Sequence, residues 1–216
     1  MELKARANTL PIEGEAPGGV TRGYGVIEPL LARWRARMAD RLIPQDHRSG
    51  KLLDIGCGRL PFFLASIEFA ERCGLDKQVR QNGVVNYENQ AMTLIRHDVE
   101  RDSSLPFPDA EFSAVTMLAV FEHIEPLQLH RLMSEVHRVL RAGGIFVMTT
   151  PAAWADPLLQ AMARLRLVSL EEIREHKGRY TRRSVARFVG EAGFPPDRVR
   201  TGLFELGLNL WATATK

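Results

Sequence analysis

The chain has 216 residues, 45% of them hydrophobic and 25% charged, with a net charge of +3. That is the composition of one globular domain with a sizeable core, and the charge is too mild to argue for nucleic acid or a membrane surface. Two cysteines are too few for a disulfide framework and fit a reducing, cytoplasmic setting, and no apolar run approaches the ~20 residues of a membrane span.

Residues 1–48 read as an N-terminal arm followed by a cap helix. Met1 to Gly19 are polar, carry Pro11, Pro17 and the Gly18-Gly19 pair, and lack the apolar core of a secretory signal. From Glu28 the pattern turns helical. Pro29 suits a first turn, and Leu30, Trp34, Met38 and Leu42 recur at four-residue spacing on one apolar face. Arg33, Arg37 and Arg41 form a neighbouring stripe, read either as a solvated face or as a contact for an anionic substrate. Pro44 ends this helix.

Strands and helices then alternate. The pattern predicts a strand at Leu52–Ile55, a helix at Phe62–Glu71, a strand running through Leu75 into Asp76 and another at Thr93–Ile95. Val84–Tyr87 and Glu88-Asn89-Gln90 carry no clear pattern. Two prolines make residues 103–109 a loop. A strand follows at Phe112–Leu118, then a helix with Leu129, Leu132, Met133, Val136, Val139 and Leu140 on one face, stopped by Gly143-Gly144. Ile145–Thr149 is the next strand, ended by Pro151. Leu158, Leu159, Met162, Leu165 and Val168 mark a hydrophobic helix, and Glu171–Lys177 is a charged stretch. Thr181 is the N-cap of a helix carrying Val185, Phe188, Val189 and Ala192, which Gly193 closes. Val199–Leu206 and Leu208–Thr213 form a closing hairpin around Gly207. The alternation implies an α/β domain on a parallel sheet, with an antiparallel edge from the hairpin.

Chemistry gathers at the ends of the apolar runs. Lys51-Leu52-Leu53-Asp54-Ile55-Gly56-Cys57-Gly58 is an apolar run carrying an acid and followed by two glycines, whose missing Cβ atoms allow a tight turn and a close approach to a ligand. Asp54 is placed to accept hydrogen bonds from a ligand's amine or from the loop. Asp76 and Asp98 close the next two runs, so three acids mark the carboxyl ends of consecutive parallel strands, where open α/β sheets bind ligands. A dinucleotide-dependent oxidoreductase is one reading, but its third glycine would fall on Pro61.

In this sequence Asp54-Ile55-Gly56-Cys57-Gly58 resembles motif I of the class I S-adenosylmethionine-dependent methyltransferases. Phe112-Ser113-Ala114-Val115 through Val120-Phe121-Glu122-His123-Ile124 is similar to that family's fourth strand and the segment after it. Leu140-Arg141-Ala142-Gly143-Gly144-Ile145-Phe146 resembles the turn into its fifth strand, and Ala192-Gly193-Phe194 the turn before its last strands. The resemblance runs from about Leu52 to the C-terminus. It implies a Rossmann-like, doubly wound, seven-stranded mixed sheet over residues 49–216, with S-adenosyl-L-methionine as cofactor and residues 151–180 as an acceptor-side insertion. It further implies that Gly56, Cys57 and Gly58 pass beside the methionine part together with Asp54. Asp76 would bind the ribose hydroxyls, Asp98 and the Val99 N–H would read the adenine edge, and backbone carbonyls at Met117 and Leu118 would line the site. Two departures from the family stand out, Leu60 where a third glycine is usual and Ser113 where an aspartate is usual.

For a hydroxyl acceptor a general base helps, and histidine is matched to neutral pH. His123 is the first candidate, against a structural role at that turn. His176 is the second, against simple solvation, while Glu122 is placed to orient a neighbour and His97 to face solvent or adenine. Trp154, Leu158, Met162 and Leu165 form an apolar wall for an acceptor or an ordinary packing stripe. The expected function is methyl transfer to a hydroxyl, ahead of nitrogen or carbon, of a small-molecule or glycan-type acceptor by a monomer or homodimer, with no metal. A non-catalytic scaffold of the same fold, suggested by Leu60, is the alternative.

Overall fold

The computed structural model describes residues 10–11, 27–80, 82–87, 90–102, 104–165, 167–168, 173 and 176–216. Its strands in chain order are β1 (Leu10–Pro11), β2 (Lys51–Ile55), β3 (Glu71–Asp76), β4 (Gly83–Tyr87), β5 (Gln90–Arg96), β6 (Phe112–Leu118), β7 (Leu140–Pro151), β8 (Val199–Phe204) and β9 (Asn209–Thr215). The helices are α1 (Glu28–Leu42), α2 (Phe62–Ser66), α3 (Pro126–Val139), α4 (Asp156–Arg164) and α5 (Arg182–Glu191). Most of the predicted arm and most of the charged stretch 171–177 lie outside the described residues.

All nine strands join one sheet in the order β1-β4-β5-β3-β2-β6-β7-β9-β8. Five of them, β5-β3-β2-β6-β7, run parallel. In this set the chain starts at β2, moves out through β3 to β5, and returns to the other side of β2 for β6 and β7. The reversal opens a crevice beyond the carboxyl ends of β2 and β6, the usual ligand position in such sheets. The predicted hairpin is present, with β9 antiparallel to β7 and β8 antiparallel to β9.

The expected seven strands are too few. The additions are β4, antiparallel to β5, and the two-residue β1 beside β4. Val84–Tyr87 showed no pattern because β4 adds little to the core: only Val85 packs partly against it, while Gly83, Val84 and Asn86 are exposed. A strand buried at a single position is held mainly by its backbone ladder and needs no regular alternation.

The central strands alternate between two cores. Leu53, Val115, Phe146 and Met148 face one side with Leu132, Met133 and Val136 of α3 and Val185 and Val189 of α5. Leu52, Ala114, Ile145 and Val147 face the other with Ala36 and Ala39 of α1 and Phe63 and Leu64 of α2. Covering both faces is what a parallel sheet requires.

Three helices differ from expectation: the one after β6 ends at Val139, so Leu140 and Gly143-Gly144 belong to β7 instead of stopping a helix. In α1 the apolar face is not the buried one: Leu30 is 47% and Trp34 42% exposed, while Ala36, Ala39 and the following Ile43 are buried. Small alanines let the helix backbone approach the sheet closely, and Leu30 and Trp34 turn outward while Leu42 packs partly against the core. The α2 helix stops at Ser66 rather than Glu71. Ser66 Oγ donates back to Phe63 O at 2.9 Å, and the Arg72 guanidinium donates to Leu64 O and Ile67 O at 3.2 and 3.3 Å, satisfying carbonyls at the helix end. Ser113 lies at the opposite end of β6 from the crevice, its hydroxyl bonded to His47 O at 2.9 Å and Lys51 O at 3.0 Å, a structural position. Ala39→Leu is expected to cost about 1–3 kcal/mol of stability by overpacking, and Trp34→Ala under about 1 kcal/mol, both read from denaturant unfolding; the reverse order would refute this placement of α1.

Candidate active site

The glycine loop turns directly off β2. The N–H groups of Gly56 and Cys57 both donate to Leu75 O of β3, at 2.7 and 3.3 Å, and Gly56 and Gly58 take φ of +78° and +72°. A Cβ on Gly56 would stand 2.3 Å from Val120 Cγ2, so glycine is required there by contact as well as by conformation. Above Gly58 the nearest atom to such a Cβ is 4.0 Å away, which leaves room for a ligand against the backbone. Cys57 is buried and turns its sulfur toward Gly74, where an added Cβ would come within 2.7 Å of it. Only its backbone can face the crevice, and burial pushes its thiol pKa well above the ordinary value. Leu60 is not among the residues at positive φ; its carbonyl accepts the Phe62 N–H at 2.8 Å as the chain turns into α2. The bulkier residue therefore causes no backbone strain.

Three acids stand along the rim. Asp54 is buried, and its Oδ1 accepts the Thr116 hydroxyl at 2.6 Å. Burial pushes its pKa up to about 7, the Thr116 hydrogen bond opposes the shift, and the nearby Asp76 carboxylate adds to it. Asp76 Oδ2 accepts the Gly58 N–H at 3.0 Å and its Oδ1 the Gln78 N–H at 2.7 Å, so this carboxylate clasps the glycine loop to the end of β3. Asp98 follows β5, half-buried, with Oδ1 accepting the Glu100 N–H at 3.1 Å. Val99 beside it packs partly against the core. The His97 ring is drawn to Asp102, 3.2 Å away, rather than into the rim. Met117 and Leu118 lie beyond the last β2–β6 pair, Asp54 with Thr116. The Met117 side chain is fully buried, so its contribution to the crevice is a backbone one.

Beyond β6 the chain makes a sharp turn. Ala119 takes a φ of +56°, and its N–H donates to Thr149 O at 3.0 Å and Thr149 Oγ1 at 3.2 Å. This turn lays Val120 on Gly56 and leads into the short 3-10 segment Phe121–His123. Glu122 is 2% exposed, and its Oε2 accepts the Thr150 hydroxyl at 2.8 Å. Its backbone carbonyl accepts the N–H groups of Lys177 at 2.7 Å and Gly178 at 3.3 Å. That anchor brings together the two histidines that the sequence kept far apart: the rings of His123 and His176 are 5.1 Å apart, edge to face. A side-chain ligand atom from each of Glu122, His123 and His176 lies within 4.8 Å of the others. Ala153 N–H donates to Tyr180 O at 2.9 Å, and Ala152 N–H to Leu208 O at 2.8 Å, drawing the chain after β7 to the same rim. There the apolar stripe stays exposed: Trp154 is 57%, Leu158 45% and Leu165 70% accessible. It is a surface, not core packing. Thr116, Val120, Thr150 and Tyr180 were not anticipated, because a strand threonine or a loop valine carries no signal until the fold supplies its neighbour.

A family model described as a methyltransferase domain matches residues 27–198. The chain belongs to that methyltransferase domain family. It is 32% identical over 109 residues to an uncharacterised methyltransferase of Synechocystis, a match covering 48% of this chain, and it spans 50% of that relative's length. Among solved structures it is similar to an S-adenosylmethionine-dependent methyltransferase of Mesorhizobium loti at a TM-score of 0.60, with 17% identity over 83% of this chain and 96% of that one. It is also similar to one from Archaeoglobus fulgidus at a TM-score of 0.59, with 17% identity over 85% and 94%. The fold is thus that of methyltransferases whose methyl donor is S-adenosylmethionine. The site suits that donor: open backbone at Gly58, a buried carboxyl at Asp54 for an ammonium, and acceptor oxygens at Asp76 for hydroxyls. Among the described residues no helix is long and apolar enough to cross a membrane.

Asp54 stays protonated in the folded protein up to about pH 7 but ionises near pH 4 when unfolded. It therefore favours the folded state fully below pH 4, and this contribution fades as pH rises from about 4 to about 7. Urea midpoints of the ligand-free protein should fall more over that interval in the wild type than in Asp54→Asn; identical pH slopes would mean that Asp54 is ionised when buried.

Proposed function

We propose that the protein methylates a hydroxyl of a small-molecule or saccharide-type acceptor in the cytoplasm, with residues 49–216 as the catalytic domain and 151–180 as its acceptor face. The observation that carries this reading is the His123–His176 pair, 5.1 Å apart, with His123 three residues after Val120, the residue packed on the glycine loop.

When bound, S-adenosylmethionine supplies an electrophilic methyl group on a positively charged sulfur. The chain's own residues bind and position. Gly56 and Gly58 allow close approach of the methionine part, and Asp54 faces its ammonium, a pairing that favours the ionised carboxylate. Asp76 offers its remaining lone pairs to the ribose hydroxyls, since each carboxylate oxygen accepts more than one hydrogen bond. Asp98 and the Val99 N–H hold the adenine edge, and the backbone at Met117 and Leu118 closes the crevice. A neutral hydroxyl is a poor nucleophile, so an adjacent imidazole that assists loss of its proton raises the rate; a neutral amine needs no such help. This is why the paired histidines favour oxygen over nitrogen or carbon. Trp154, Leu158 and Leu165 hold the apolar part of the acceptor, and positioning supplies much of the remaining rate. The free, buried Cys57 and Cys73 suit a reducing compartment. A non-catalytic scaffold role is not favoured, because Leu60 fits the loop without strain.

Calorimetric titration with S-adenosylmethionine and S-adenosylhomocysteine is the first test. Asp76→Asn should weaken binding of both at least ~10-fold, the scale of one lost hydrogen bond to a charged group; unchanged affinity overturns the ribose assignment. Once an acceptor is identified by screening alcohols and sugars, His123→Ala should lower kcat by about 100-fold while leaving cofactor affinity within a factor of ~2, and an unchanged kcat removes His123 from the chemistry.

A further inference from the structure

We propose that Glu122, His123 and His176 form a binding site for one divalent transition-metal ion, of the manganese, iron, cobalt or zinc type. The three side chains present one carboxylate oxygen and two imidazole nitrogens, all within 4.8 Å of one another. Such ions hold oxygen and nitrogen ligands at about 2.0–2.2 Å, which places neighbouring ligand atoms about 3 Å apart. Small side-chain rotations close the present arrangement around an ion. Imidazole with carboxylate is also the donor set that selects these metals over magnesium and calcium, which prefer oxygen alone.

The backbone prepares the cluster. Glu122 and His123 are adjacent in a short helical turn, and His176 reaches them because Lys177 and Gly178 donate their N–H groups to the Glu122 carbonyl. The Thr150 hydroxyl holds Glu122 Oε2 at 2.8 Å and so orients the carboxylate, the outer-shell support that ligating side chains commonly have. The neighbouring Lys177 ammonium is directed elsewhere, toward Glu100 and Glu125, and does not sit between the ligands as a competing cation.

Three protein ligands leave coordination positions open on the acceptor side. The consequence for catalysis rests on the methyl-transfer reading above, although ion binding itself does not. An acceptor hydroxyl entering an open position becomes more acidic, and its proton leaves to solvent. In that state the imidazoles hold the ion rather than take the proton, and an acceptor with two neighbouring oxygens could chelate it. This proposal departs from the expectation of no metal, for a reason only the fold supplies: His176 comes from a separate loop.

The test uses the whole chain, stripped with a chelator and desalted. Titration with Co2+, followed by visible absorption, and with Zn2+, followed by calorimetry, should each show one ion per chain, and Zn2+ should raise Tm. His176→Ala, a loop substitution outside the core, should weaken both by at least ~100-fold and abolish the Tm shift. Thr150→Val should cost about 10-fold, the scale of an outer-shell loss. Glu122→Gln is read only if circular dichroism shows it folded. No ion bound by the wild type, or unchanged binding in both His176→Ala and His123→Ala, overturns the site. Titration of the same sample with S-adenosylmethionine keeps the two readings apart, since its failure would remove the cofactor and leave the metal result standing.

Discussion

The carboxylate of Asp76 ties the functional end of the sheet together, because it is the point where two loops from neighbouring strands are held in one geometry. One oxygen takes the Gly58 N–H and the other the Gln78 N–H, while its carbonyl takes those of Val79 and His97. A buried carboxylate loses several kcal/mol of hydration, and backbone donors of this kind compensate at about 1.5–3 kcal/mol each. The glycine loop, the turn after β3 and the turn after β5 are thus positioned by one residue. A ligand that also bonds Asp76 engages a group already fixed, which lowers the entropy lost on binding.

The loops beyond β6 and β7 depend on a second anchor, the Glu122 carbonyl. Through it the segment beginning at Lys177 is fixed to the turn after β6, and through Tyr180 O to Ala153 that segment is fixed to the chain leaving β7. Three loops remote in sequence are in this way built around one short helical turn. The strain at Ala119, whose φ is positive without glycine, lies in that turn and is held by two hydrogen bonds to Thr149. Such conformations persist where the surroundings over-determine them, and here the turn sets the position of both Val120 and His123.

The two halves of the crevice differ in kind. Around the glycine loop, acids and open backbone recur at the ends of adjacent parallel strands, and their spacing follows from strand length. Beyond β6 and β7, a buried carboxylate and two imidazoles come from turns, and the exposed apolar stripe from α4 and the turn before it. The second half is where one methyltransferase would differ from another, since loops accept change more readily than the strands that carry them.

Periodicity was enough to place β6 and the C-terminal hairpin, and the acids at Asp54, Asp76 and Asp98 could be read as strand ends, because local patterns of burial and turn chemistry are written in consecutive residues. It failed at β4, where only Val85 meets the core, and at α1, where small alanines rather than large apolar residues approach the sheet. Paired contacts were out of reach for a different reason. That Thr116 holds Asp54, that Val120 fills the space a Gly56 side chain would need, and that His176 meets His123 are facts about residues distant in sequence. Their distances are set by strand order and loop closure. The sequence by itself determined the α/β class and the glycine loop with its rim acids; only the tertiary structure decided how the rim beyond β6 and β7 is composed, because that surface is assembled from segments whose proximity no local interaction encodes.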